Sequence, residues 1–326
     1  AERQLADALD AYLQRNINRN KANSPSNSRS ESAAQPADDA LLRRLLAANY
    51  RGGSEQHAAR ILRLLKHDAS PLSSRREAAR MLAAWQEPSP LDRVVGLYRP
   101  LAKRDSAAVR AMLDAQSIAL LESAPAELRE SVIDLLASYE IDSGRAVLTR
   151  WVKDGSQTAS IRIAALNLLA AGNATETSVL LESLLQDLDP EVRIAAGAIL
   201  AERHPERAAA LLVPVVESGE AQSERQKALA ALSRVPSADV DAAFSDWLSR
   251  LIDGNFPSPL QLDLVEAASQ RNNPLIQEKL KDYRDAFPPE DTLAAYRTSL
   301  HGGDYTRGRE LFIGRMEVKC LRCHKV

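Results

Sequence analysis

The residues best suited to chemistry sit at the end of the chain. Cys320-Leu321-Arg322-Cys323-His324 places two thiols three positions apart, with an imidazole directly after the second. On one helical turn, two such thiols can each add to a vinyl group of the same porphyrin. The histidine is then carried beneath the ring, where its nitrogen can serve as the proximal iron ligand. Three other chemistries share parts of this pattern. A dithiol redox motif needs a βαβ setting, and helical sequence surrounds this one. A zinc half-site needs further ligands at matching spacing, and the chain has only these two cysteines. A structural pair is usually buried, whereas these thiols stand beside Lys319, Arg322 and Lys325.

The preceding residues narrow the choice. Gly303-Asp304-Tyr305-Thr306-Arg307-Gly308-Arg309-Glu310-Leu311-Phe312 resembles the opening helix of class I cytochrome c, G-D-x-x-x-G-x-x-x-F ahead of C-x-x-C-H-x-V. Gly308 and Phe312 are four apart and share a helical face. The resemblance implies haem c held covalently by Cys320 and Cys323, with His324 as the metal ligand. It also implies that Gly308 permits a close helix crossing and that Phe312 packs near the haem edge. Asp304 is expected to cap a helix ending near Gly314. That family normally adds a distal methionine and a closing helix further on. Met316 is poorly placed for that role, and Met81 and Met112 belong to the preceding region.

The elements that carry this motif are read from composition and periodicity. Among 326 residues, 45% are apolar, 26% charged and only 4% aromatic, with many Ala, Leu, Glu and Arg. This favours helices and disfavours strands. A net charge of −2 gives no sign of a nucleic-acid binder. No apolar run approaches the roughly 18 residues that a membrane span needs. The expected class is all-α. Residues 1–19 read as an amphipathic helix through Leu5, Leu9, Leu13 and Ile17, and 20–38 as a linker poor in large apolar residues. From 39 to 300, helical segments alternate with short breaks. Residues 301–326 open the cytochrome-like part. With Ala first and Val326 directly after the motif, the chain is expected to be a piece of a longer protein.

The helices repeat with a period near 32. Ser160-Ile161-Arg162-Ile163-Ala164-Ala165 lies over Glu191-Val192-Arg193-Ile194-Ala195-Ala196, over Glu127-Leu128-Arg129 before it and over Glu224-Arg225-Gln226 after it. Pro259-Leu260-Gln261-Leu262 is a looser copy. Arg75-Arg76-Glu77-Ala78-Ala79 and Val109-Arg110-Ala111-Met112 look like degenerate earlier members. Two helices per unit at this period indicate a helical solenoid, expected as a right-handed superhelix. The Asp189-Pro190-Glu191-Val192-Arg193 form most closely resembles HEAT repeats, whose recurring arginine bonds acidic or backbone groups of a neighbouring unit. HEAT-like repeats followed by G-D-x-x-R-G-x-x-L-F and C-x-x-C-H-K-V also resemble the multidomain haem-binding proteins of planctomycetes. That resemblance implies an exported or periplasmic protein serving a fused or partner dehydrogenase, often a β-propeller similar to sorbosone dehydrogenases.

The remaining chemistry-bearing residues read as structural. His57, His67 and His204 stand singly at helix positions or ends, without a carboxylate partner at helical spacing. Trp85, Trp151 and Trp247 are each expected inside a helix, in the core. Neither G-x-S-x-G nor a Gly-rich phosphate loop occurs. Two functions follow. The first is electron transfer through a covalent haem on a HEAT-like scaffold, with a redox partner protein. The alternative is a protein-interaction scaffold without redox activity.

Overall fold

The computed structural model describes residues 2–22, 36–172, 174–288, 290–302 and 305–315. Cys320, Cys323, His324 and Met316 lie outside them. The chain divides into two units, Ala1–Asn173 and Ala174–Val326.

In the first unit, α1 (Glu2–Ala22) pairs with α2 (Pro36–Gly52), α3 (Glu55–Lys66) with α4 (Leu72–Ala83), α5 (Ala107–Ser123) with α6 (Ala126–Ala137), and α7 (Arg145–Lys153) with α8 (Ala159–Ala171). In the second, α9 (Ala174–Leu184) pairs with α10 (Pro190–Arg203), α11 (Pro205–Ser218) with α12 (Gln222–Leu232), and α13 (Ala238–Ile252) with α14 (Gln261–Ser269). α15 (Pro274–Asp285) packs on α13, and α16 (Tyr305–Gly314) comes last. No strand occurs among the described residues, only an isolated antiparallel bridge between Leu91 and Tyr98. The chain is thus all-α and built from repeated helix pairs, as the periodicity implies.

Local chemistry starts the helices where expected. The Asp189 side chain accepts from the Glu191 N–H at 2.9 Å, and Pro190 fills the first helical position, where no N–H is needed. Thr158 caps α8 through the Ile161 N–H, and Asn273 caps α15 through Leu275 and Ile276. In α10, Val192, Ala196 and Leu200 are fully buried, a face of 3.6-residue period. A Cβ on Gly197 would meet Leu212 at 3.1 Å, so the small residue lets α11 pack close.

Five expectations are corrected. The buried stripe of α1 is Ala6, Leu9 and Leu13, while Leu5 is exposed. Leu5, near the start of the helix, lies off the contact face, and the side chain of Ile17 lies outside the described ones. α1 itself runs on to Ala22 and α2 starts at Pro36; the rest of the expected linker lies outside the described residues. Residues 84–106 are a long non-helical excursion between α4 and α5, not a short break. Trp85 falls in it, just beyond α4, although its ring is fully buried; Trp151 and Trp247 do lie in helices. Val109-Arg110 is on α5, a first helix, whereas every other arginine of the repeat is on a second helix.

Candidate functional site

The recurring arginine has a defined seat. It is the fourth residue of five second helices: Arg75 in α4, Arg129 in α6, Arg162 in α8, Arg193 in α10 and Arg225 in α12. From there the guanidinium reaches the C-terminal end of the first helix of the same pair. Arg75 Nε donates to the Leu65 carbonyl at 2.8 Å, Arg162 Nε to Val152 at 2.8 Å and Arg225 Nε to Val216 at 2.7 Å. Arg129 Nε donates to Ala124 at 3.3 Å, just past α5, and Arg193 Nη1 to Asp187 at 2.5 Å and Leu188 at 3.1 Å, past α9. The last carbonyls of a helix have no partner within it and carry its negative pole, so a cation there answers both needs. Gln261 stands at the corresponding position of the looser copy and donates through its amide to the Phe256 carbonyl at 3.1 Å.

The resemblance placed this arginine's partners in a neighbouring unit; its main partner proves to lie within its own pair. Two of the arginines also reach onward. Arg129 Nη1 donates to Gln157 Oε1, ahead of α8, at 2.5 Å, and its guanidinium lies 4.9 Å from the Trp151 ring centre. Arg193 bonds Glu224 of α12, and this contact holds the Glu224 carboxyl below the usual range. The arginines are therefore consumed inside the fold.

The expected haem residues are represented only by α16. It runs from Tyr305 to Gly314, and the expected cap Asp304 lies outside the described residues. Gly308 is exposed, and nothing among the described residues lies within 4 Å of a Cβ built on it. Phe312 is half-buried. Met81 is fully buried in α4, and Met112 lies half-buried on α5.

The histidines behave as structural groups. His57 Nδ1 sits 2.7 Å from Ser54 Oγ in the capping box that starts α3. His67 Nδ1 lies 3.0 Å from Ser70 Oγ at the end of α3. Burial lowers both imidazole pKa values, favouring the neutral form. His204 joins α10 to α11, with Glu206 at 3.6 Å. No group of three or more His, Cys, Asp or Glu side chains suited to a metal occurs among the described residues.

Two features lie beyond what the sequence reading found, and both involve the excursion at 84–106. Arg104 is stacked against two rings, 4.7 Å from the Trp85 centre and 5.0 Å from Tyr50. Burial lowers its pKa. The rings meet edge to face at 5.8 Å, and Tyr50 Oη donates to the Ala84 carbonyl at 2.7 Å. At the turn of the loop, Asp92 accepts from the Val94 and Val95 N–H groups at 2.9 and 3.1 Å and pairs with Arg99 at 3.1 Å. Gly96 holds φ at 69°, a left-handed conformation that closes the turn without a Cβ penalty. Leu91, Val95, Leu97 and Tyr98 remain exposed on it.

The second feature is an open groove of about 480 Å³ between α2 and α4, with Arg93 reaching in from the loop. Asp39 and Arg43 line it from α2, and Ser73, Arg76, Glu77 and Arg80 from α4. Both carboxylates are occupied. Asp39 Oδ1 accepts from Ser73 Oγ and Ser74 Oγ, each at 2.9 Å, and Glu77 Oε1 accepts from Arg93 Nη1 at 2.6 Å. Arg76 donates through Nε and Nη2 to the Glu127 carbonyl. Arg43 and Arg80 are exposed and have no ion-pair or hydrogen-bond partner among the described residues. The only sequence signal was the spacing of Arg76 and Arg80, one turn apart on the face of α4 that also carries Ser73 and Glu77.

No family model matches the chain, and no curated protein matches it. Among solved structures, it is similar to the complex of CpcE and CpcF of phycocyanin lyase from Nostoc sp. PCC7120, at 15% identity and a TM-score of 0.38, covering 81% of this chain and 99% of that one.

Proposed function

We propose that this chain is a protein-interaction scaffold. The observation that carries the reading is the internal use of the repeated arginines: the element that recurs serves construction, and the outward positions are free to differ from pair to pair. Helix-pair repeats of this kind offer extended faces rather than enclosed pockets. Exposed apolar side chains such as Leu97, Val179 and Leu188 provide contact points in both units. A photo-crosslinking residue placed at each of these positions, in the cells that make the protein, tests the idea. A discrete adduct with a protein at one or more positions is expected; a uniform background at all of them counts against a scaffold.

A second reading, favoured by Cys320-Leu321-Arg322-Cys323-His324, makes the scaffold the carrier of an electron-transfer site. The donor set fits haem c chemically, with two thiols for thioether bonds and an imidazole for the iron. Cys320 and Cys323 would hold the porphyrin, His324 would supply the proximal nitrogen, and Gly308 and Phe312 would belong to the helix leading into the site. Haem c, when bound, supplies one-electron exchange between Fe(II) and Fe(III). Covalent attachment of this type points to an exported, periplasmic protein, with a dehydrogenase as its electron donor. The test is a pyridine haemochrome spectrum of the natural protein matured by a cytochrome c assembly system. A covalent haem that is lost when both cysteines become alanine supports the reading. Two free thiols and no haem absorbance would refute it and leave the scaffold standing.

A further inference from the structure

We infer that the α2–α4 groove binds an extended acidic segment of a protein partner; the inference deepens the scaffold reading and rests on it. Four guanidiniums line the groove against two carboxylates, and both carboxylates are already engaged, Asp39 by two serine hydroxyls and Glu77 by Arg93. The local balance is two positive charges, in a chain whose net charge is −2. Arg43 and Arg80 offer guanidiniums without a partner among the described residues. Arg93 Nε is withdrawn from water with no hydrogen-bond partner. A planar guanidinium fork matches a carboxylate in a way that an ammonium does not.

The spread of these cations selects the occupant. Arg43 is on one helix, Arg76 and Arg80 are one turn apart on another, and Arg93 comes from the loop. Drawn from two helices and a loop, they suit a peptide carrying several carboxylates better than one small oxyanion. The groove's volume of about 480 Å³ is in the range of sites that take a drug-sized ligand rather than a lone ion. The loop that supplies Arg93 also exposes Leu91, Val95, Leu97 and Tyr98. An acidic segment with interspersed apolar side chains therefore matches this surface in charge and in apolar character.

The experiment uses the full chain and a dye-labelled peptide alternating glutamate with leucine, read by fluorescence anisotropy at low salt. The expected result is saturable binding that weakens about tenfold or more in the Arg43→Gln/Arg80→Gln double variant. It should change little in Arg150→Gln/Arg203→Gln, which removes the same charge from exposed arginines elsewhere. The peptide with glutamine for glutamate should also bind about tenfold or more weakly. Because Arg43 and Arg80 are exposed, the thermal midpoint of the double variant should match that of the wild type. Absence of binding, equal losses in the two double variants, equal binding of the neutral peptide, or full displacement by an equimolar amount of inorganic phosphate each overturns the inference. A crosslinked partner that is captured equally by wild type and Arg43→Gln/Arg80→Gln overturns the groove but leaves the scaffold reading intact.

Discussion

Arg162 is buried and Arg104 half-buried, and the way each is held separates the helix pairs from the excursion at 84–106. Arg162 reaches a carbonyl ten residues earlier in the chain, at the end of the helix that precedes its own. Arg104 rests on Trp85 and, far back along the chain, on Tyr50. The first seat recurs in five successive pairs, α3–α4 to α11–α12, because a short link and a fixed helix position bring the fourth residue of the second helix to the same place. The second exists once and depends on the tertiary fold around it. Nearby in sequence to Trp85, the Leu82 carbonyl accepts from the Tyr139 hydroxyl at 2.6 Å; burial pushes that phenol's pKa up to about 12. Order in the pairs is therefore local and repeated, while order in the excursion hangs on a few aromatic contacts.

The sharpest way to break this contrast is Trp85→Ala. Removing a fully buried indole costs about 3–5 kcal/mol and leaves a cavity beside Tyr50. It also strips Arg104 of one of its two stacking partners. Limited proteolysis should then nick the chain within 84–106 while the α9–α12 pairs stay resistant. Uniform loss of protection across the chain would show that the excursion is not an independent weak point.

Arg162→Ala tests the other half of the contrast. It removes a charged donor from a buried carbonyl, a loss of about 2–3 kcal/mol by denaturant titration. Arg162→Lys keeps the charge but not the planar fork and should restore only part. Arg110→Ala offers the matched comparison. Arg110, like Arg162, follows a β-branched apolar residue, but it is on a first helix and donates to the Tyr139 carbonyl from an exposed position, so its loss should cost under about 1 kcal/mol. Equal losses at 110 and 162 would mean that the seat on the second helix is not what the repeat selects.

The same contrast explains what the sequence made legible. The period near 32 is visible because Arg129, Arg162, Arg193 and Arg225 face the same local problem, the open carbonyls at a helix end, and solve it with the same residue at the same offset. Asp189-Pro190 announced α10 for a similarly local reason. Glu87-Pro88-Ser89-Pro90 marks a break in the sequence, but the length of the excursion was invisible because Leu91-Asp92-Arg93-Val94-Val95 reads like one more helical turn until distant partners are known: Glu77 for Arg93, Arg51 for Asp92, and Tyr50 for Arg104. Val109-Arg110 misled because a motif of two or three residues does not say which helix of a pair carries it. The groove was illegible for the converse reason. Arg43 and Arg80 belong to different helices, and no period links them. The C-terminal run Cys320-Leu321-Arg322-Cys323-His324 lies outside the described residues, so its reading rests on residue types and spacing alone.

The smallest effect is expected at Asp92, and it separates the turn of the excursion from its aromatic seat. The Val94 and Val95 N–H groups hold the Asp92 carboxyl below the usual range, with Arg99 and Arg51 adding to the effect. A carboxylate whose folded pKa is depressed contributes stability that is fully present above its unfolded value of about 3.9. That stability is lost as pH falls through the lower folded value. Acidification from neutral should therefore leave the turn closed down to about pH 4 and open it below that, seen as faster hydrogen exchange at the Val94 and Val95 amides. Asp92→Asn keeps an oxygen for these amides but gives up the pairing with Arg99, a loss of about 1 kcal/mol or less. Its exchange rates should be slightly raised at neutral pH and should lack the acid step. The helix pairs seated by Arg75 and Arg162 do not contact Asp92 and should keep their protection through the same step. If they lose it together with the turn, the excursion and the pairs unfold as one cooperative unit, and the contrast between local and long-range order does not hold.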